Sequence, residues 1–168
     1  YSPDVDRYIS RSIVAHGAYG HGHLFSSLLS AAPRGRELML DVGANVGMHA
    51  LAAAQEGVDV LAFEPHPTTA ALLRRSLRLN CQLRPRVQLV QAGAASPAEA
   101  GSTRELASHV QSPGLSSLAA APVAGLDLGG PGRSFSVRLS SIDDELPRSR
   151  WCAEAAGGGA NLGRGDGG

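Results

Sequence analysis

The chain has 168 residues, a formal net charge of zero, a pI near 7.2 and a hydrophobic fraction of 43%. This length and apolar content suit one domain with a single core. The balanced charge gives no electrostatic basis for binding nucleic acid, and no apolar run approaches the roughly 18 residues that a membrane span needs. Since the sequence shows no signal or transmembrane segment, a cytoplasmic compartment is the default expectation.

Residues 1–34 are predicted to form a helical N-terminal segment. Helices are expected over residues 4–14 and 24–29, with a stretch rich in Gly and His over residues 17–23. His16, His21 and His23 are close in sequence, as metal ligands often are. Glycine spacers do not fix a coordination geometry, however, and no fourth ligand is apparent. We therefore predict no metal site.

Residues 35–150 carry the pattern of an α/β domain. Short apolar runs predict strands over residues 37–42, 58–64 and 86–90, and helices are expected over residues 46–55 and 68–79. Pro67 and Asn80 are start and stop signals for the second of these helices. Strands separated by helices of this length predict right-handed crossovers and a parallel sheet, whose ligand lies at the carboxyl ends of the strands.

The remainder of the chain is less regular. Residues 96–131 are rich in Ala, Ser, Gly and Pro, which predicts loops with at most one hairpin, followed by a strand over residues 134–139. Residues 151–168 offer too little apolar surface to fold. We expect them to form a disordered, glycine-rich tail.

A glycine-rich turn after the first predicted strand carries most of the functional information. Gly43 and Gly47 remove side chains where the backbone turns sharply, and the following helix directs free N–H groups toward that gap. Glu64 ends the second strand 21 positions after Gly43, near the distance of about 20 at which such folds place an acid on a ribose. The predicted cofactor-binding residues are Asp41, Gly43, Ala44, Asn45, Gly47 and Glu64.

The same turn lacks the glycine pattern that dinucleotide sites need. A G-x-G-x-x-G fingerprint would have Gly at position 45, where this chain has Asn45. The loop therefore suits a nucleoside ligand without phosphates. S-adenosylmethionine fits, because its ribose offers hydroxyls to Glu64 and its sulfonium and ammonium cations tolerate Asp41 nearby.

Several of these residues have structural interpretations as well. Glu64 could cap the following helix, and Asp41 could be an ordinary turn residue, although we favour cofactor roles for both. His49 is a candidate general base whose alternative is an exposed or packed position on a helix.

A pair of acids late in the chain also has two interpretations. Asp143 and Asp144 form a paired carboxylate that could serve in acid/base chemistry. With Ser141 they also make a good helix cap and first turn. We favour the cap, and no catalytic residue is assigned.

Four motifs together resemble the FkbM family of S-adenosylmethionine-dependent methyltransferases in order and spacing. They are DVGANVG at 41–47, AFEPHP at 62–67, LRLN at 77–80 and LSSIDD at 139–144. The resemblance runs from about residue 8 to residue 146. It implies a Rossmann-like class I methyltransferase fold, S-adenosylmethionine as cofactor, and methyl transfer to a hydroxyl oxygen of a small molecule or carbohydrate.

The family pattern continues with a strand of the form D-x-x-K-I-D-V-E-G, where this chain has its glycine-rich segment. We therefore expect the parallel sheet to be incomplete on its C-terminal side. The edge of the first strand would then have no neighbouring strand to pair with. Two hypotheses follow: an FkbM-type methyltransferase, inactive in this form if the missing segment is essential, or a non-catalytic domain that binds the cofactor or a partner. A nicotinamide-binding Rossmann domain is a third and more distant alternative.

Overall fold

The computed structural model describes residues 9–16, 27, 37–109 and 131–152. Within them, a parallel sheet alternates with helices. In chain order the elements are α1 (Ile9–His16), β1 (Leu38–Val42), α2 (Met48–Gln55), β2 (Asp59–Phe63), α3 (Pro67–Leu79), a 3-10 turn (Arg84–Arg86), β3 (Val87–Val90), β4 (Gly93–Ala94), β5 (Thr103–His109), β6 (Pro131–Ser140) and α4 (Ile142–Glu145).

The first three strands form the sheet that the sequence predicts. Their order is β1-β2-β3, and both pairs are parallel, with Leu38 opposite Asp59 and Val60 opposite Val87. The α/β fold with a parallel sheet and flanking helices is thereby confirmed. Because parallel strands end at one edge, the residues that follow β1, β2 and β3 meet there.

Alternate residues of β2 face opposite sides of the sheet, and both sides are buried. Val60 and Ala62 pack in a cluster with alanines of α2 and with Leu73 and Leu77 of α3. The small alanine side chains let α2 lie close to the strands. Leu61 and Phe63 belong to a second cluster, on which Ile142, Leu146 and Trp151 pack. A strand covered on both faces is expected to be continuously apolar, as β2 is.

Strand β1 pairs with β2 alone among the described strands. Two of its side chains, Leu40 and Val42, are 41% and 58% exposed. In the described part of the chain, this side of the sheet is thus an apolar strand edge, as expected from the sequence.

A second three-stranded sheet departs from the sequence prediction. Its order is β4-β6-β5, with β4 parallel and β5 antiparallel to β6. Loops with at most one hairpin were expected before residue 131, and the seven-residue β5 is the strand that pairs with β6. Gly93 and Ala94 form β4 because they pair with Leu139 and Ser140. Long-range pairing of this kind leaves no periodic signal in residues 96–109.

The packed chain extends past the boundary at 150 that the sequence suggested. Trp151 packs on the cluster around Phe63, and the Arg150 guanidinium lies 5.5 Å from the centroid of the Trp151 ring. Arg150 also donates from Nη1 to the Pro85 carbonyl at 2.9 Å. These contacts attach the end of the described chain to the start of β3.

Several predicted features lie outside the described residues. They include most of the N-terminal segment 1–34, with the helix expected at 24–29 and with His21 and His23, as well as the tail from residue 153 onward. In the described part, α1 ends at His16, two residues beyond the predicted end. None of the described helices is long and apolar enough to cross a membrane.

Candidate cofactor site

The glycine-rich loop after β1 turns through three residues with left-handed backbone conformations. Gly43, Asn45 and Gly47 have φ values of 82°, 54° and 88°. Glycine adopts this conformation without strain, and asparagine is among the residues that tolerate it best. The turn closes with a bond from the Gly47 N–H to the Ala44 carbonyl at 2.8 Å. Helix α2 therefore begins at Met48, two residues later than predicted, with Gly47 as its N-cap.

Gly47 is also required by packing. A β-carbon at this position would overlap the side chain of Leu73 on α3, whereas one on Gly43 would meet no atom within 4 Å. The two glycines therefore have different roles. Gly47 lets the loop approach α3, and Gly43 leaves open space beside the loop.

Most donors of the loop backbone are used inside the protein. The N–H groups of Gly43 and Ala44 both donate to the Phe63 carbonyl at 2.9 Å. The Asn45 N–H donates to Oε2 of Glu64 at 2.7 Å. A phosphate-binding loop turns successive N–H groups toward its anion. Here those three donors hold the end of β2 instead.

Glu64 is the centre of the hydrogen-bond network at this edge. Its Oε1 accepts from the His66 N–H at 2.7 Å and from the Thr69 hydroxyl at 2.8 Å, and Oε2 accepts from Asn45. The side chain is only 5% exposed. Burial raises the pKa of Glu64 and the nearby Asp41 charge adds to this, while the three hydrogen bonds act against it. Glu64 therefore connects the glycine-rich loop to the start of α3, whose N-cap is His66.

Asp41 is the penultimate residue of β1, and one of its carboxylate oxygens is available for a ligand. The Ala50 N–H donates to its carboxylate, but Oδ2 is buried and has no hydrogen-bond partner among the described residues. Burial raises the pKa of Asp41, opposed by the charge of His49 and by the Ala50 hydrogen bond. A buried carboxylate oxygen without a partner is costly, and a cationic ligand would relieve that cost.

His66 and Thr69 belong to this network and were not identified from the sequence. Nδ1 of His66 accepts from the Thr68 N–H at 3.1 Å and so caps α3, whose first residue is Pro67. Burial lowers the pKa of His66, and its ring lies 4.6 Å from the Phe135 ring. Histidine is not a usual N-cap, so its residue type indicated this role only weakly. Thr69 follows Glu64 by five positions, in the first turn of α3, and this placement was the available signal.

A cavity of about 460 Å³ opens beside this edge of the sheet. Pro65 and Pro67 line it after β2, Gln91 lines it after β3, and residues 134–138 of β6 complete the lining. Its volume lies within the range of small-molecule pockets. The segments that follow β2 and β3 thus share this cavity with β6, and none of the six predicted cofactor-binding residues lines it.

The other candidate residues cap a helix or lie on an exposed helix face. Ser141 caps α4: its hydroxyl oxygen accepts from the Asp144 N–H at 3.1 Å and lies 2.7 Å from Oδ2 of Asp144. The capping interpretation of this pair is confirmed. His49 is exposed on the first turn of α2. No group of three or more His, Cys, Asp or Glu side chains that could hold a metal occurs in the described ranges.

Comparison with known proteins gives partial structural likenesses. No family profile matches the sequence, and no curated protein matches it. A SAM-dependent methyltransferase from Agrobacterium tumefaciens aligns with 15% identity and a TM-score of 0.40 over 51% of this chain and 25% of its own. A protein assigned as an rRNA methylase from Clostridium thermocellum aligns with 19% identity and a TM-score of 0.37 over 43% of this chain and 39% of its own. This chain thus spans well under half of either protein, and its activity has to be inferred from its own site.

Proposed function

We propose that this chain binds S-adenosylmethionine and is the cofactor-binding region of an FkbM-type methyltransferase that transfers a methyl group to a hydroxyl oxygen of a small molecule or carbohydrate. The observation that carries the proposal is the pair of buried carboxylates, Asp41 and Glu64, beside a glycine loop most of whose backbone donors are already used. Such a site favours a cation and disfavours a pyrophosphate. The FkbM assignment and the hydroxyl acceptor rest on the sequence resemblance alone.

The residues present suit the cofactor in charge and in hydrogen-bonding capacity. Oδ2 of Asp41 would accept from the ammonium group, and the remaining lone pair on Oε2 of Glu64 would accept from a ribose hydroxyl. The open space beside Gly43 would admit the ligand close to the backbone. When bound, the cofactor supplies an electrophilic methyl group on a sulfonium. The chain's own contribution is to orient it and to exclude water.

Equilibrium binding tests the cofactor assignment. We expect calorimetry to detect binding of S-adenosylmethionine and S-adenosylhomocysteine in preference to NAD. Glu64→Ala should weaken binding by about 30-fold to 1000-fold, as expected for the loss of charge-assisted hydrogen bonds. Asp59→Asn is the matched control, since Asp59 lies at the opposite end of β2 and pairs with Arg86. Tighter binding of NAD, or an unchanged dissociation constant for Glu64→Ala, would contradict the assignment.

An assay of methyl transfer distinguishes a methyltransferase from a non-catalytic domain that binds the cofactor through the same residues. Release of S-adenosylhomocysteine would be followed with a panel of hydroxylated acceptors. Acceptor-dependent release supports the methyltransferase. Binding of the cofactor without release under any acceptor supports the non-catalytic domain.

A further inference from the structure

The outer face of α3 carries positive charge with no acidic residue close to it in sequence. Between Glu64 and Glu99 the chain has five arginines and no Asp or Glu. Three of these arginines, Arg74, Arg75 and Arg78, are exposed on the second half of α3, away from the helix face that packs on the sheet. The zero net charge of the whole chain conceals this separation of charge.

The fold adds two more arginines to this face. Arg84 is exposed in the 3-10 turn that follows α3. Arg150 is also exposed, and its guanidinium donates to the carbonyls of Arg84 and Pro85, at 3.4 and 2.9 Å. Carbonyl acceptors satisfy hydrogen bonds of the guanidinium but leave its charge in place. The basic surface, as we call it, consists of Arg74, Arg75, Arg78, Arg84 and Arg150.

The charges of the basic surface repel one another and lack carboxylate partners. None of the ion pairs in the described part of the chain involves one of its arginines. Arg74 and Arg78 are four positions apart on the helix, and Arg75 and Arg78 are three apart, so their side chains are neighbours of like charge. Only Arg78 lies in the last turn of α3, where the helix dipole favours a cation. An anionic partner would relieve this repulsion.

An exposed apolar side chain within the basic surface indicates the kind of anion. Leu79 is 76% exposed and lies one helical turn after Arg75. A lipid surface offers phosphate groups beside hydrocarbon, which suits arginines around a leucine. Single-stranded nucleic acid is bound with stacking aromatic side chains, and residues 67–86 contain no Phe, Tyr or Trp. Trp151, whose ring centroid is 5.5 Å from the Arg150 guanidinium, packs on the cluster around Phe63 instead.

We propose that the basic surface adsorbs this protein onto an anionic lipid surface, with Leu79 entering the headgroup region. Each arginine close to such a surface strengthens adsorption by about fivefold. Arg84 directly precedes β3, so this surface lies toward the amino-terminal edge of the parallel sheet, and Asp41 and Glu64 lie at the opposite edge. Adsorption therefore leaves the candidate cofactor site uncovered, and the proposal does not depend on the proposed function.

Co-sedimentation with lipid vesicles tests the proposal. The parent protein should bind vesicles of phosphatidylserine mixed with phosphatidylcholine and should not bind vesicles of phosphatidylcholine alone. Binding should weaken by about tenfold or more when the salt concentration rises from roughly 50 to 300 mM, because salt screens exposed charges. Equal binding to the two kinds of vesicle, or binding to neither, would overturn the proposal.

Two double variants test whether the basic surface is responsible. Arg75→Gln/Arg78→Gln should weaken vesicle binding by about tenfold or more. Arg104→Gln/Arg133→Gln is the matched control, because it removes the same charge from exposed positions on β5 and β6 of the second sheet, and its affinity should stay within about threefold of the parent. Equal losses from the two double variants would overturn the assignment to this surface.

Leu79→Ser distinguishes a lipid surface from other anions. It should weaken vesicle binding by about threefold or more, because the serine buries less apolar area among the lipids. Unchanged vesicle binding would contradict the role of Leu79. Tighter binding of a single-stranded RNA oligonucleotide than of vesicles at the same salt concentration would make nucleic acid the partner. Release from vesicles by inorganic phosphate at constant ionic strength would indicate a discrete site for a free anion. Either result would overturn the proposal.

Discussion

Gly47 lies against Leu73 so closely that a β-carbon on the glycine would overlap Cδ1 of the leucine. This contact joins the glycine-rich loop to α3, the helix whose start also holds Glu64 through Thr69. The backbone at Gly47 has a φ of 88°, which disfavours any side chain there. The conformation of the glycine-rich loop and the position of α3 therefore both depend on the absence of a side chain at Gly47.

Gly47→Ala should destabilise the protein by about 2–4 kcal/mol, because it adds overpacking to backbone strain. Gly43→Ala is the matched control, with a similar φ of 82° but open space around the added carbon, and should cost only about 1 kcal/mol. Urea unfolding measures both. The double variant Gly47→Ala/Leu73→Ala should cost less than the sum of its single changes. Equal effects at the two glycines would show that packing against Leu73 is unimportant.

Asp41→Asn should stabilise the unliganded protein by about 1 kcal/mol at neutral pH and weaken cofactor binding. The substitution removes a buried charge whose Oδ2 has no described partner, while the amide oxygen can still accept from Ala50. Thermal unfolding with and without S-adenosylhomocysteine measures the two effects. A variant that is less stable without ligand would show that the Asp41 charge is compensated within the protein.

Asp41 and Glu64 should make the unliganded protein less stable as the pH rises from acidic values toward neutrality. Both pKa values are raised above their ordinary values, 3.8 and 4.5, so the native state binds protons more tightly than the unfolded state. The stability that these two carboxyls contribute is fully present below their ordinary pKa values. It is lost as the pH rises through their raised pKa values. Urea midpoints across this range should show a shallower decline in Asp41→Asn. Identical slopes in parent and variant would contradict the assignment to Asp41.

Trp151→Ala should lower the free energy of unfolding by about 1–2 kcal/mol, since the indole packs on the cluster around Phe63 and is only partly buried. Cys152→Ala is the neighbouring control, for which a change below about 0.5 kcal/mol is expected. Urea unfolding followed by far-UV circular dichroism avoids loss of the fluorescence signal. An unaffected Trp151→Ala would place the end of the packed domain before this residue.

The sequence alone determined the local elements of the parallel sheet. Continuous apolar runs for β1 and β2 and the Pro67 and Asn80 signals of α3 identified those elements to within one or two residues, because these signals are local in sequence. The glycine turn and Glu64 could be identified for a related reason: left-handed backbone and a strand-ending acid are visible as residue types at fixed spacing.

Only the tertiary structure decided how those residues are used. The pairing of β5 with β6 and of β4 with β6 depends on contacts between residues tens of positions apart, which no local periodicity records. The occupied lone pairs of Glu64 and the unpartnered Oδ2 of Asp41 depend on which donors the fold brings within hydrogen-bonding distance. Residue types therefore predicted a nucleoside site, and the three-dimensional arrangement of donors determined how many hydrogen bonds the carboxylates of Asp41 and Glu64 have left to accept.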